Sequence, residues 1–138
     1  MYSFSTNLKG DMDSVEQHVI EALKEEGFGV LTEIDVQATM KKKLDIDQRP
    51  YKILGACNPS LAHQAIEAEP DIGLLLPCNV VVREEEDASI TVAFMDPEAV
   101  LTLVDRDDVA ELAKEVKNRL ERVKQSLIDN AHRYTTSE

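Results

Sequence analysis

At 138 residues, with 43% apolar and 30% charged side chains, the chain has the size and make-up of one soluble domain whose core needs neither disulfide nor metal. Its 27 acidic and 15 basic residues give a formal net charge of -12, which repels phosphate backbones and anionic headgroups and excludes nucleic acid and membrane surfaces as expected partners. Trp is absent and aromatic residues make up 4%, too few rings for a platform that stacks single-stranded bases.

The opening Met1-Tyr2-Ser3-Phe4-Ser5 lacks the basic and apolar blocks of a leader, and no apolar run approaches a membrane span. A cytoplasmic location follows as the expectation, with both cysteines reduced. Residues 2–8 alternate Tyr2, Phe4, Thr6 and Leu8 against Ser3, Ser5 and Asn7, which predicts a half-buried strand. Asp13 and Ser14 then offer caps for a first helix, with Glu16 and Gln17 completing a capping box. Val15, Val19, Ala22 and Leu23 share one helical face, and Gly27 suits the left-handed residue that ends it.

Phe28 to Ile34 predicts a second strand with Phe28, Val30, Thr32 and Ile34 on one face. Asp35 caps a second helix striped by Val36, Met40 and Leu44, with Lys41, Lys42 and Lys43 outside. After a loop at Asp47–Pro50, the small apolar run Tyr51–Cys57 predicts a central strand buried on both faces. Asn58 and Pro59 are cap and first residue of a third helix with Leu61, Ala62, Ala65 and Ile66 inward. Leu74–Leu76 lead to Pro77, and Cys78–Glu84 with Ser89–Met95 predict an antiparallel hairpin. Asp96-Pro97 opens a short helix to about Val104. A long last helix then carries Val109, Leu112, Val116, Leu120, Val123 and Leu127 at helical spacing, and the tail from Tyr134 is expected to fray.

The order β-α-β-α-β-α-β-β-α-α predicts an α/β (α+β) domain of two layers, a sheet with helices packed on it. Its crossovers imply some parallel pairing and its hairpin an antiparallel pair, so a mixed sheet is expected. Residues 1–104 form the α/β unit; 105–138 form the long helix, which packs on the sheet, on a dimer partner, or with one half on each.

The runs Gly27-Phe28-Gly29-Val30-Leu31-Thr32-Glu33-Ile34-Asp35, Tyr51-Lys52-Ile53-Leu54-Gly55-Ala56-Cys57-Asn58-Pro59 and Gly73-Leu74-Leu75-Leu76-Pro77-Cys78-Asn79-Val80-Val81-Val82-Arg83-Glu84 resemble the domain-of-unknown-function family 302 over most of residues 4–104. The resemblance implies a two-layer α/β domain and a homodimer. It implies no activity, substrate, cofactor or catalytic residue, but Cys57-Asn58-Pro59 and Pro77-Cys78-Asn79 fall in the family's characteristic stretches.

These two Cys-Asn pairs hold the only cysteines, and Cys57, Asn58, Cys78 and Asn79 are the candidate ligand-binding residues. Cys57 ends a strand one residue before a helix cap, where ligands favour open sheets. A helix N-terminus lowers a thiol pKa by about one unit, to roughly 7.5, while burial beside Ile53–Ala56 pushes it back up. Filling a tight strand–helix junction as a small hydrophobe explains Cys57 equally well. Whether Cys78 lies near it depends on strand direction, which the residues leave open. As metal ligands, Cys57, His63 and Cys78 are weak candidates, because two cysteines 21 positions apart form no knuckle and His63 suits a wet helix face. Phosphate-loop, dinucleotide and serine-elbow motifs are missing. Glu33 with Asp35, Lys41–Lys43 and Glu84–Asp87 are read as solvated charge.

The expectation is thus a non-enzymatic ligand-binding or interaction module acting as a homodimer, without cofactor, its small-molecule site near the Cys-Asn pairs. The alternative is a thiol-dependent redox or metal-handling protein using Cys57 and Cys78; a third reading is a structural dimer adaptor.

Overall fold

The computed structural model describes residues 1–134. Its elements follow the expected order: β1 (Ser3–Leu8), α1 (Met12–Glu25), β2 (Gly29–Asp35), α2 (Val36–Leu44), β3 (Tyr51–Cys57), α3 (Pro59–Ala68), β4 (Cys78–Glu84), β5 (Ile90–Met95), α4 (Pro97–Leu101) and α5 (Asp107–Asp129). A 3-10 turn over Pro70–Leu75 takes in most of the run that leads to Pro77, and another over Ala131–Tyr134 follows α5. The tail beyond Tyr134, expected to fray, lies outside the described residues. No described helix is long and apolar enough to cross a membrane.

Local chemistry sets the helix ends. Asp35 Oδ1 accepts the Ala38 N–H at 2.9 Å, and Asp96 Oδ1 accepts those of Glu98 and Ala99 at 2.9 and 3.4 Å. Each satisfies donors that a first turn leaves without intrahelical partners. The cap of α1 differs from the expectation: it is Asp11, whose carboxylate accepts Ser14 N–H at 2.9 Å and Ser14 Oγ–H at 2.8 Å. The helix therefore starts earlier than Asp13 or Ser14 would set it. Glu16, expected in a capping box, is instead buried against the sheet. Gly27 closes α1 at φ 87°, with Gly27 N–H donating to Lys24 O and Phe28 N–H to Leu23 O.

The strands lie in the order β1-β5-β4-β3-β2, and every pairing is antiparallel. The α/β class holds, but the expected mixed sheet is corrected to an antiparallel one. The reason is where the connecting helices return the chain. After α2 the chain re-enters at the end it left, pairing Asp35 with Lys52. After α3 and the 3-10 turn it does so again, pairing Ala56 with Cys78. Among the described strands only the β1–β2 connection, through α1, joins opposite edges of the sheet. β3 is thus second from an edge, and the central strand is β4. The pairing of β2 with β3 shifts by one residue between Val30 and Thr32, so Thr32 and Ile34 do not share the face of Val30 as the alternation predicted.

One face of the sheet is covered by α1 and α5. Val15, Val19 and Leu23 of α1 and Leu120, Val123 and Leu127 of α5 close over Leu54, Val80, Val82, Val92 and Phe94 in one core. Leu120 is 0% exposed, so the second half of α5 packs within its own chain and offers this stripe to no partner. A smaller cluster of Ala65, Ile72, Leu101, Val109 and Ala113 fills the end beneath α3 and α4. The opposite face is open: Ile34 is 48% exposed, and Ile53, Val81, Ala93 and Met95 are half-buried. Leu44 of α2 is exposed, and none of that helix's nine residues is buried.

Candidate functional site

The site is built where β3 hands over to α3 and the 3-10 turn hands back to β4. Asn58 sits in extended backbone at φ -98° and accepts the Leu61 N–H on Oδ1 at 3.2 Å, while Pro59 takes the first helical position, whose N–H would lack a partner. The register pairs Ala56 with Cys78 and Gly29 with Cys57, so the two cysteines lie one rung apart on neighbouring strands, at the same end of the sheet. Strand direction, which the residues left open, is what brings them together.

Both line a small cavity of about 40 Å³. Its other walls are nearly all hydrocarbon: Phe28, Ala56, Leu61, Leu76 and Pro77 around the thiols, with Leu101, Leu112 and Val116 closing it from α4 and α5. Asn58 supplies the one amide in the lining. A space of this size admits two or three water-sized groups, and an apolar one of its kind holds water poorly.

Burial decides the thiol chemistry. It pushes the Cys57 thiol up from its ordinary value, and it pushes Cys78 up to about 11, with the neighbouring Cys57 adding to the rise. The lowering expected from the α3 N-terminus is therefore outweighed, since an apolar wall disfavours a thiolate more than the end of a helix favours it. Both sulfurs carry protons at neutral pH.

The four sequence candidates divide. Cys57, Asn58 and Cys78 meet at the cavity; Asn79 is exposed, and strand alternation turns it to the open face with Val81 and Arg83. His63 is exposed on α3 and is not part of the wall. Among the described residues no three His, Cys, Asp or Glu side chains cluster to hold a metal ion, so Cys57, His63 and Cys78 do not form one site.

Two glycines that the sequence reading did not connect to the site shape it. A Cβ on Gly55 would meet Pro77 Cγ at 2.9 Å and press on Thr32 Oγ1, so only glycine lets the 3-10 turn close down on β3. A Cβ on Gly27 would lie 2.8 Å from Asn58 Nδ2 and 3.1 Å from Arg119 Nη1. Arg119 itself donates to Glu26 O at 2.9 Å and to Glu115 Oε2 at 2.7 Å, tying α5 to the turn beside Asn58. A glycine inside an otherwise apolar strand was the signal available for Gly55.

A second cluster sits near the other end of β3. Lys52 Nζ lies 3.0 Å from Glu16 Oε1 and 2.8 Å from Glu33 Oε2. The two carboxylates hold the Lys52 ammonium well above its usual range. Burial pushes Glu16 up although Lys52 pulls against it, while Lys52 draws the more exposed Glu33 down. Glu33 is thus an ion-pair partner, where the sequence reading expected solvation. A carboxylate at position 16, between the core residues Val15 and Val19, was the sequence signal.

The comparisons agree with this architecture. The chain is similar to an uncharacterised protein of Aquifex aeolicus, 28% identical over 88 residues, which take in 53% of this chain and 61% of that protein. It spans, then, less than two thirds of that relative's length. The crystal structure of an uncharacterised conserved DUF302 protein from Bacillus stearothermophilus superposes with a TM-score of 0.83 at 26% identity, covering 91% of this chain and 97% of that one. The model of the family described as "Domain of unknown function DUF302" matches residues 4–127, a span that takes in the core stripe of α5 as well as both Cys-Asn segments, and the chain belongs to that family.

Proposed function

We propose that the protein is a non-catalytic binding module, working as a pair of identical chains, that takes a small apolar group into the cavity between Cys57 and Cys78. The observation that carries this reading is the cavity lining: two cysteines, one amide and otherwise hydrocarbon, at one end of the sheet. A charged group entering it would lose its hydration without a counter-charge in the wall. A short aliphatic or thioether tip would lose nothing comparable, and the Asn58 Oδ1 is already engaged by the Leu61 N–H, which leaves the wall almost wholly apolar. The space accepts only a few heavy atoms, so the remainder of a larger ligand would lie outside.

Xenon tests this directly, because it is apolar and small enough to enter. Saturable shifts at Leu61, Leu76 and Cys57 in the NMR spectrum are expected, lost when Ala62→Leu fills the space. An absence of saturable shifts in the wild-type chain would overturn the reading. The thiol alternative draws on the closeness of Cys57 and Cys78, but their raised pKa values and the position of His63 outside the cavity wall favour a packing and lining role for both sulfurs.

A further inference from the structure

The cavity is bordered by a donor that no described residue satisfies. Asn58 is 9% exposed, and its Oδ1 accepts the Leu61 N–H at 3.2 Å. That bond fixes which way the amide faces, because only its oxygen can accept from a backbone donor. The other end, Nδ2, has no hydrogen-bond partner among the described residues. An amide donor so nearly buried is costly to leave unpaired, and native chains rarely do so without a use for it.

A second donor stands beside it. The place that a Cβ on Gly27 would take is 2.8 Å from Asn58 Nδ2 and 3.1 Å from Arg119 Nη1, so the two nitrogens are close neighbours. Glycine, held there at φ 87°, leaves this corner open. Arg119 donates from Nε to Glu115 and from Nη1 to Glu26 O, which uses two of the five N–H groups of its guanidinium. Each member of the corner is joined to the cavity wall. Phe28 follows Gly27, Val116 precedes Arg119 by one turn of α5, and Asn58 belongs to wall and corner alike.

We propose that this corner seats the carbonyl oxygen of a small neutral molecule whose short aliphatic tail fills the cavity. The proposal rests on the binding reading above and names its ligand class. Two donors call for an acceptor, and the charges require that it be neutral. Arg119 is paired with Glu115 at 2.7 Å and Arg122 with Glu26 at 2.9 Å, so these four side chains cancel. A carboxylate would meet both glutamates and find each arginine already paired, in a chain of net charge -12. An ammonium would set its own donors against Nδ2 and Arg119. A carbonyl oxygen brings lone pairs without charge, and the bond from Nδ2 offsets the water it gives up. The cavity of about 40 Å³ sets the length, since it takes a tail of about two or three carbons. Short-chain ketones and esters have this form.

Protein-observed NMR with 2-pentanone tests this. Saturable shifts are expected at the Asn58 side-chain amide, Leu61 and Leu76, with displacement of bound xenon. Butyrate and n-butylamine, of similar length, should bind at least about tenfold more weakly. Asn58→Asp keeps a capping oxygen but loses the donor, and should weaken 2-pentanone at least about tenfold. Asn58→Ser, which also caps, is expected to act alike should the aspartate variant not fold; circular dichroism melts establish which variants are folded. Binding of 2-pentanone undiminished in the folded variants overturns the role of Nδ2, and butyrate binding as tightly as 2-pentanone overturns the neutral class. Xenon binding without 2-pentanone binding overturns this inference and leaves the cavity reading intact, whereas binding of neither overturns both.

Discussion

The covered and open faces of the sheet are written by the same five strands, in alternate residues, and they illustrate two uses of one pattern. On the covered side Leu54, Val80, Val82, Val92 and Phe94 are buried beneath α1 and α5. On the other, Ile53, Val81 and Ala93 are of similar character but only half-buried. Apolar composition alone therefore does not define the core; a residue is core when a second layer exists to close over it. The covered side carries the domain's stability, and the open side holds apolar surface in reserve.

The sharpest way to break this comparison is on the covered side. Leu120→Ala removes a fully buried side chain between α5 and the sheet, and a loss of about 2–5 kcal/mol is expected in urea unfolding. A loss below about 1 kcal/mol would mean that α5 does not carry the core. The next effect is an alkaline one at the cavity. An unfolded Cys78 thiol ionises from its ordinary value of 9.0, whereas the folded one keeps its proton to about 11. Stability from this group is thus whole below pH 9 and falls as pH rises to about 11, by roughly 2–3 kcal/mol at 1.36 kcal/mol per unit. Cys78→Ala should flatten that slope in unfolding curves taken across the range; an equal slope in the variant would place the titration elsewhere. The smallest effect belongs to the open side. Ile34→Thr should change the stability of the dilute monomer by no more than about 0.5 kcal/mol. A loss that appears only at high concentration would sharpen the contrast, since it would reveal the face being covered by a second molecule.

Much of this was legible in the residues. Element order followed from apolar period and from caps such as Asp35, Asn58 and Asp96, because these signals act within a few residues. Strand direction did not, since it depends on where a helix returns the chain, and a short α2 leads back to the same end as easily as across. That gap also hid the site, because the distance between Cys57 and Cys78 is fixed by antiparallel pairing alone. Asn79 lies outside the cavity for a plainer reason. Asn79 lies within β4, where alternation turns it to the open face away from Cys78, whereas Cys57 and Asn58 lie where β3 ends and its alternation gives way to the α3 cap. The partial burial of Cys57 follows in part from helices distant in sequence, which no local pattern reports.

The irregularity at Leu31 has a consequence of its own. It is the extra residue that reverses the pleat of β2, sending Glu33 toward Lys52 and Ile34 outward beside Ile53. Deleting that one residue would leave these facings as they are, because Val30 and Thr32 already stand on opposite faces and would follow one another against Ala56 and Gly55 in a regular ladder. A codon lost at Leu31 would thus straighten the edge strand without exchanging its two sides.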